Sequence, residues 1–134
     1  MSIDRSFTPD VASIRAARRF VLDTVGEVPP GLRDAISVMV SELAMNAVQY
    51  GRTAFDVRVE LDGGSLRVEV SDSGGGSPEI QPLPPASVPH GRGLFIVDQL
   101  SDEWGISPVS GGPRRSVWFR IATSGAASTQ GMRS

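Results

Sequence analysis

The sequence predicts one α+β domain, a two-layer sandwich with helices on one face of a mostly antiparallel sheet. The first observation behind this prediction is the order of the hydrophobic patterns, which reads helix, helix, hairpin, loop, helix and two strands. The second is size, because 134 residues with 40% hydrophobic content suffice for one core and leave no room for a second ordinary domain.

The first two elements are predicted to be amphipathic helices. From Val11 to Val25, apolar residues recur at helical spacing with arginines between them. Pro29 and Pro30 suit a turn or a first helical position, and the apolar residues after them again share one face. Gly51 follows as a stop signal. The second segment is the strongest helix prediction in the chain.

Strict alternation of apolar and polar residues then predicts an antiparallel hairpin, with strands at 55–61 and 66–70 and a Gly-rich turn between them. The periodic spacing of apolar residues disappears at 74–93, where prolines are frequent. A loop of limited conformational freedom is therefore expected there. The remaining predicted elements are a short helix at 94–100, a strand at 104–106 and a last strand at 117–121.

These elements define the expected domain limits. Residues 1–9 are expected to be a flexible N terminus, residues 10–122 a single domain, and residues 123–134 a disordered tail. The first residues lack the basic and apolar regions of a signal peptide, and no apolar run approaches transmembrane length. A cytoplasmic protein without membrane contact is therefore expected.

Composition excludes several classes of function. The net charge is −2 and no dense Lys/Arg run occurs, so direct nucleic-acid binding is not expected. Without cysteine, neither disulfides nor thiolate metal sites can form, and the single histidine, His90, cannot build a histidine-rich metal site.

Asp72 is the first residue that suggests chemistry. It continues the phase of Leu66, Val68 and Val70, so its carboxylate is predicted to face the core. A buried carboxylate needs hydrogen-bond donors, and an adenine amino group is one such donor. Alternatively, an Asp at the end of a strand caps the following turn. Strand phase alone supports the ligand-binding and the turn-capping interpretations of Asp72 nearly equally.

On the second helix, Glu42, Asn46 and Gln49 are predicted to form a stripe at the border of the core. A solvated helix edge is the ordinary meaning of such a stripe. Glycines nearby favour a ligand site instead: Gly74, Gly75 and Gly76 allow close approach of a flat ligand. Farther on, HGRGL opens a helix whose free amides, with Arg92, suit phosphates.

Three segments resemble the motifs of the GHKL superfamily of ATPases and kinases. SELAMNAVQYG at 41–51 resembles its N box, DSGGG at 72–76 its first glycine box, and HGRGLFIVDQLSDEWG at 90–105 its second. The resemblance extends from about Ala16 to Ile121 and implies a Bergerat-type ATP-binding fold with ATP and Mg²⁺ as cofactors. An Asn oxygen with phosphate oxygens and waters suits Mg²⁺.

The resemblance also implies a role for each matched residue. The family usually closes its pocket with a Gly-Thr pair before the last strand. Here the segment reads GGPRRSVWF, so Ser116 is the candidate replacement and Arg115 competes for the position. In the implied site Glu42 is the general base, Asn46 binds magnesium and Asp72 binds adenine. Gly74 and Gly76 shape the pocket, and Ser116 closes the pocket. The residues implied to lie by the phosphates are Gly91, Arg92, Gly93 and Leu94.

Within the superfamily, the short length, SELAMNAV and the closing VWFRI most resemble bacterial anti-sigma factors of the serine/threonine kinase type. Such a protein phosphorylates an anti-anti-sigma antagonist and sequesters a sigma factor. Two alternatives remain: a module that uses ATP only to fix its shape while it sequesters a partner, and a bare ATPase. Arginines 15, 18 and 19 are either a solvated face, the commoner meaning of such charges, or a contact with a sigma factor or with a second subunit of a homodimer.

Overall fold

A computed structural model describes residues 1–51, 54–72, 89–108 and 115–123. The elements in chain order are β1 (Ser2–Phe7), α1 (Val11–Val25), α2 (Pro30–Asn46) with a π-helical turn (Ala47–Gly51), β2 (Phe55–Asp62), β3 (Ser65–Asp72), α3 (Pro89–Leu100), β4 (Glu103–Pro108) and β5 (Arg115–Ala122).

The strands form one five-stranded antiparallel sheet in the order β1-β2-β3-β5-β4. The predicted hairpin is present, with Leu61 opposite Leu66. Its turn is made by Gly63 and Gly64, whose φ angles of 54° and 98° match the positive values that tight hairpin turns require. The α+β sandwich with helices on one sheet face is therefore confirmed.

The hydrophobic core lies between the helices and one face of the sheet. Alternate residues of β2 and β3 supply the sheet side, and α1 and α2 supply most of the helix side, since their apolar residues recur at helical spacing. The fully buried members include Phe55, Val57, Val59, Leu66, Val68 and Phe119 from strands and Val21, Ile36, Met39, Val40, Leu43 and Val97 from helices.

The predicted limits of α1 are confirmed at both ends. The Asp10 carboxylate accepts a hydrogen bond from the Ser13 amide at 3.0 Å, which satisfies one free N–H of the first turn. Gly26 ends the helix with φ 79°. The start of α2 at Pro30 also agrees with the sequence.

The N terminus differs from the expectation of a flexible segment at residues 1–9. Residues 2–7 form the edge strand β1, which pairs with β2 along its whole length. Phe7 anchors it, because its ring stacks on Phe55 at 5.5 Å and meets Phe20 edge-on at 6.0 Å. Only Phe7 of this strand is buried, so the local sequence indicates a strand only weakly. Pairing with the edge of β2 stabilises the strand conformation.

The sheet face away from the helices, here called the outer face, carries mainly polar side chains. Trp118 lies there against Gly105, where an added Cβ would come within 3.0 Å of the indole. The Arg67 guanidinium stands over the same indole at 4.7 Å from the ring centroid. Gly105 is thus needed for the close approach of the tryptophan ring.

Candidate functional site

Asp72 ends β3 on the helix-facing side of the sheet. It follows Leu66, Val68 and Val70 in strand phase, and its side chain is only 6% exposed. In the ladder it pairs with the fully buried Phe55. The carboxylate therefore faces inward, as its strand phase predicts.

Glu42 and Asn46 lie one turn apart in the last part of α2, and both are half-buried. Between them, Leu43 and Ala44 are buried in the core, which places the polar pair at the core border. Burial raises the pKa of the Glu42 carboxyl above its ordinary value of 4.5. The side chain is therefore a stronger proton acceptor than an ordinary glutamate.

The predicted stripe of Glu42, Asn46 and Gln49 does not extend to its third member. A π-helical turn, Ala47–Gly51, begins immediately after Asn46. Its i→i+5 hydrogen bonding widens the turn and changes the direction of the side chains that follow, and Gln49 is exposed. Such turns are rare and often occur at functional sites. This one follows directly on the candidate magnesium ligand.

Packing brings these elements to one region. The helix α2 and the π-helical turn that follows it both contact β3, and α2 also contacts α3. Glu42 and Asn46 thus lie on a helix that packs on the strand ending in Asp72. In the described ranges, no group of three or more His, Asp or Glu side chains could hold a metal ion.

The start of α3 lies slightly earlier than the sequence indicates. The helix begins at Pro89, so Gly91 and Arg92 belong to its first turn, where backbone N–H groups lack helical partners. Gly93 and Leu94 lie beyond that turn. The Leu94 side chain is partly buried against the core, so this residue contributes packing. Gly74 and Gly76 lie outside the described residues.

Ser116 is separated from the other predicted site residues. It is 1% exposed, but it pairs with Ser71 and so points to the outer face, opposite to Asp72. Its hydroxyl donates a hydrogen bond to the Glu69 carboxylate at 2.6 Å. The prediction that Ser116 closes the pocket is therefore wrong for its side chain. Arg115 is the residue that pairs with Asp72.

Glu69 is a polar centre that the sequence did not single out. Desolvation alone would raise the pKa of this carboxyl. The hydrogen bonds from Ser116 and Arg67, with the charge of Arg67, outweigh desolvation and hold the pKa below 4.5. The strand phase that places Asp72 inward puts Glu69 on the outer face, so sequence alone could have separated them.

The helices lie on one face of an antiparallel sheet, and the inward Asp72 ends β3, the strand on which the helix with Glu42 and Asn46 packs. The family model for the histidine kinase-like ATPase domain matches residues 7–121, and the chain belongs to this family of ATP-binding, ATPase-like domains. No curated protein gave a significant match. No helix of the described ranges is both long and apolar enough to cross a membrane.

Proposed function

We propose that this protein is a regulatory serine/threonine kinase of the anti-sigma type, which phosphorylates an anti-anti-sigma antagonist and sequesters a sigma factor in the cytoplasm. The observation that carries the proposal is the buried, inward carboxylate of Asp72 beside the helix that bears Glu42 and Asn46. The form of the SELAMNAV segment supports the anti-sigma class.

In this proposal Asp72 accepts a hydrogen bond from the adenine amino group. A carboxylate is a strong acceptor for that N–H, whereas the carbonyl of guanine in the same position would be repelled. Asn46 offers one amide oxygen, and Mg²⁺ commonly takes one or two protein oxygens together with phosphate oxygens and waters. When bound, Mg²⁺ would neutralise charge on the phosphates. The first turn of α3, with Gly91 and Arg92, offers backbone N–H groups to them.

Glu42 is the general base of the proposed reaction. Its raised pKa makes the carboxylate a stronger proton acceptor than an ordinary glutamate, which suits the role of general base. As the hydroxyl oxygen of the antagonist's Ser or Thr bonds to the γ-phosphorus, its proton passes to Glu42. The bond between the γ-phosphorus and the bridging oxygen breaks, and ADP leaves with that electron pair.

The decisive experiment starts with capture of partners from the native cell with and without ATP, followed by incubation with γ-labelled ATP. We expect label on a Ser or Thr of a captured antagonist, and loss of that label with Glu42→Ala while ATP binding persists. Asp34→Asn, a change at an exposed acid near the other end of α2, is the matched control and should keep transfer.

The other outcomes identify the competing functions. A complex that forms without any label transfer would favour a sequestering module. Release of labelled phosphate without transfer to protein would favour a bare ATPase. Full transfer by Glu42→Ala would contradict the proposed general base.

A further inference from the structure

A groove runs along the outer surface of the α1–α2 pair. The two helices are antiparallel, since Val11 and Met45 line one end, Arg18 contacts Ser41 in the middle, and Leu22 and Arg33 lie at the other end. Three adjoining depressions, of about 490, 460 and 600 Å³, share lining residues from one to the next. Together they form what is called here the α1–α2 groove.

The middle of the groove is strongly basic. It is lined by Arg15, Arg18, Arg19, Leu22, Asp23 and Arg33, four arginines against one aspartate in a chain of net charge −2. Arg18 is held in place, because its Nη1 donates to the Ser41 hydroxyl at 2.9 Å. Within the described ranges, none of the four arginines has an acidic partner within salt-bridge distance. Their charge is therefore available to a ligand.

One end of the groove is apolar. Val11, Ile14 and Met45 line it together with the aliphatic parts of Arg15 and Arg18. Val11 is 76% exposed, which leaves an apolar anchor point beside the basic stretch. The opposite end is mixed, because Leu22, Val28 and Pro29 line it together with Asp23 and Glu27. Along the groove the lining thus changes from apolar to basic to mixed.

This order of surfaces favours an elongated amphipathic ligand over a compact anion. The 15 residues of α1 give a groove of roughly 22 Å. A helix in such a groove can place an apolar side chain on Val11, Ile14 and Met45 while its carboxylates meet the arginines. Nucleic acid would use the basic stretch and leave the apolar end without a partner.

We propose that the α1–α2 groove binds an acidic amphipathic helix of a partner protein. The inference rests on the proposed function in one respect, that a sequestering regulator must hold a protein. Ser41, which Arg18 contacts, immediately precedes Glu42 on α2, and successive residues point about 100° apart on a helix. The groove and the nucleotide site therefore use different sides of the same helix.

The test uses the full chain and a labelled synthetic helical peptide of about 15 residues, with Glu on one face and Leu on the other. A shuffled peptide of equal composition, without helical spacing, is the ligand control. Binding is followed by fluorescence anisotropy, and the bound residues are located by amide NMR shifts. We expect saturable binding with shifts along α1 and the facing side of α2, and much weaker binding of the shuffled peptide.

Arg15→Glu/Arg19→Glu is expected to weaken peptide binding by at least about tenfold. The matched control is Arg58→Glu/Arg120→Glu, which changes the charge equally on the outer face and breaks the exposed ion pairs with Asp4 and Glu103. Val11→Glu alters the most exposed apolar residue of the groove without changing the core and should also weaken binding.

Several results would overturn the inference: equal loss in both double variants, equal binding of the shuffled peptide, or tighter binding of a DNA duplex. A change from dimer to monomer in Arg15→Glu/Arg19→Glu, without peptide binding by the wild type, would assign the groove to a second copy of the chain. ATP affinity, measured on each variant, should stay unchanged. Failure of ATP binding with intact peptide binding would contradict the proposed function and leave the groove assignment standing.

Discussion

Asp72→Asn is the substitution that most directly tests the nucleotide site. Asparagine has nearly the same shape, so it removes the negative charge without leaving a cavity at a position that is 6% exposed. The side chain also gains an N–H₂ group in place of one acceptor oxygen. Adenine would then face a weaker acceptor and, in one orientation, a second donor.

The expected loss follows from the value of one hydrogen bond to a charged group, about 1.5–3 kcal/mol. This corresponds to an increase in the Kd for ATP of about 10- to 150-fold. The free energy of unfolding should change much less than the binding free energy, because the substitution also removes the cost of burying a charge. A large loss of affinity in a folded protein is therefore the expected signature.

Isothermal calorimetry with ATP and GTP measures the effect, and circular dichroism confirms the fold. Glu69→Gln is the matched control, since Glu69 is on the same strand but faces the outer side. It should leave ATP affinity unchanged. An unaffected Kd in Asp72→Asn, or equal wild-type affinity for ATP and GTP, would refute the assignment of Asp72 to adenine.

Two further predictions concern stability. Because burial raises the pKa of Glu42 above 4.5, its contribution to stability is fully present below that pH and is lost as pH rises through the folded-state pKa. In urea titrations, Glu42→Gln should therefore gain stability relative to wild type as pH rises from below 4.5 through the folded-state pKa of Glu42, and a pH-independent difference would contradict this. Ser116→Ala should cost about 1–2 kcal/mol at pH 7 by removing the donor to Glu69. Since the Glu69 pKa lies below 4.5, that deficit should shrink as pH falls through its folded-state value, without any effect on ATP affinity.

The elements that sequence predicted well are those whose signal is local. The limits of α1 follow from its apolar spacing, from Asp10 before it and from Gly26 after it. The hairpin follows from alternation around Gly63 and Gly64. In both cases neighbouring residues carry the information, and distant contacts do not override it.

The errors arose where pairing with distant residues decides the structure. Residues 1–9 include a strand because the edge of β2 is available, and Phe7 finds Phe55 only in the folded chain. Ser116 is a different case. Ser116 is out of phase with Val117, Phe119 and Ile121, so strand alternation predicts its outward direction, against the position that the motif resemblance implies.

By itself, the sequence determined the fold class, the inward direction of Asp72 and the helical spacing of Glu42 and Asn46, because periodicity alone sets which side chains share a face. Only the tertiary structure decided three other features. These are the edge strand β1, the raised pKa of Glu42, and the α1–α2 groove that gathers arginines from two helices. Each depends on which elements pack together, and packing sets burial, dielectric environment and the neighbours of every charge.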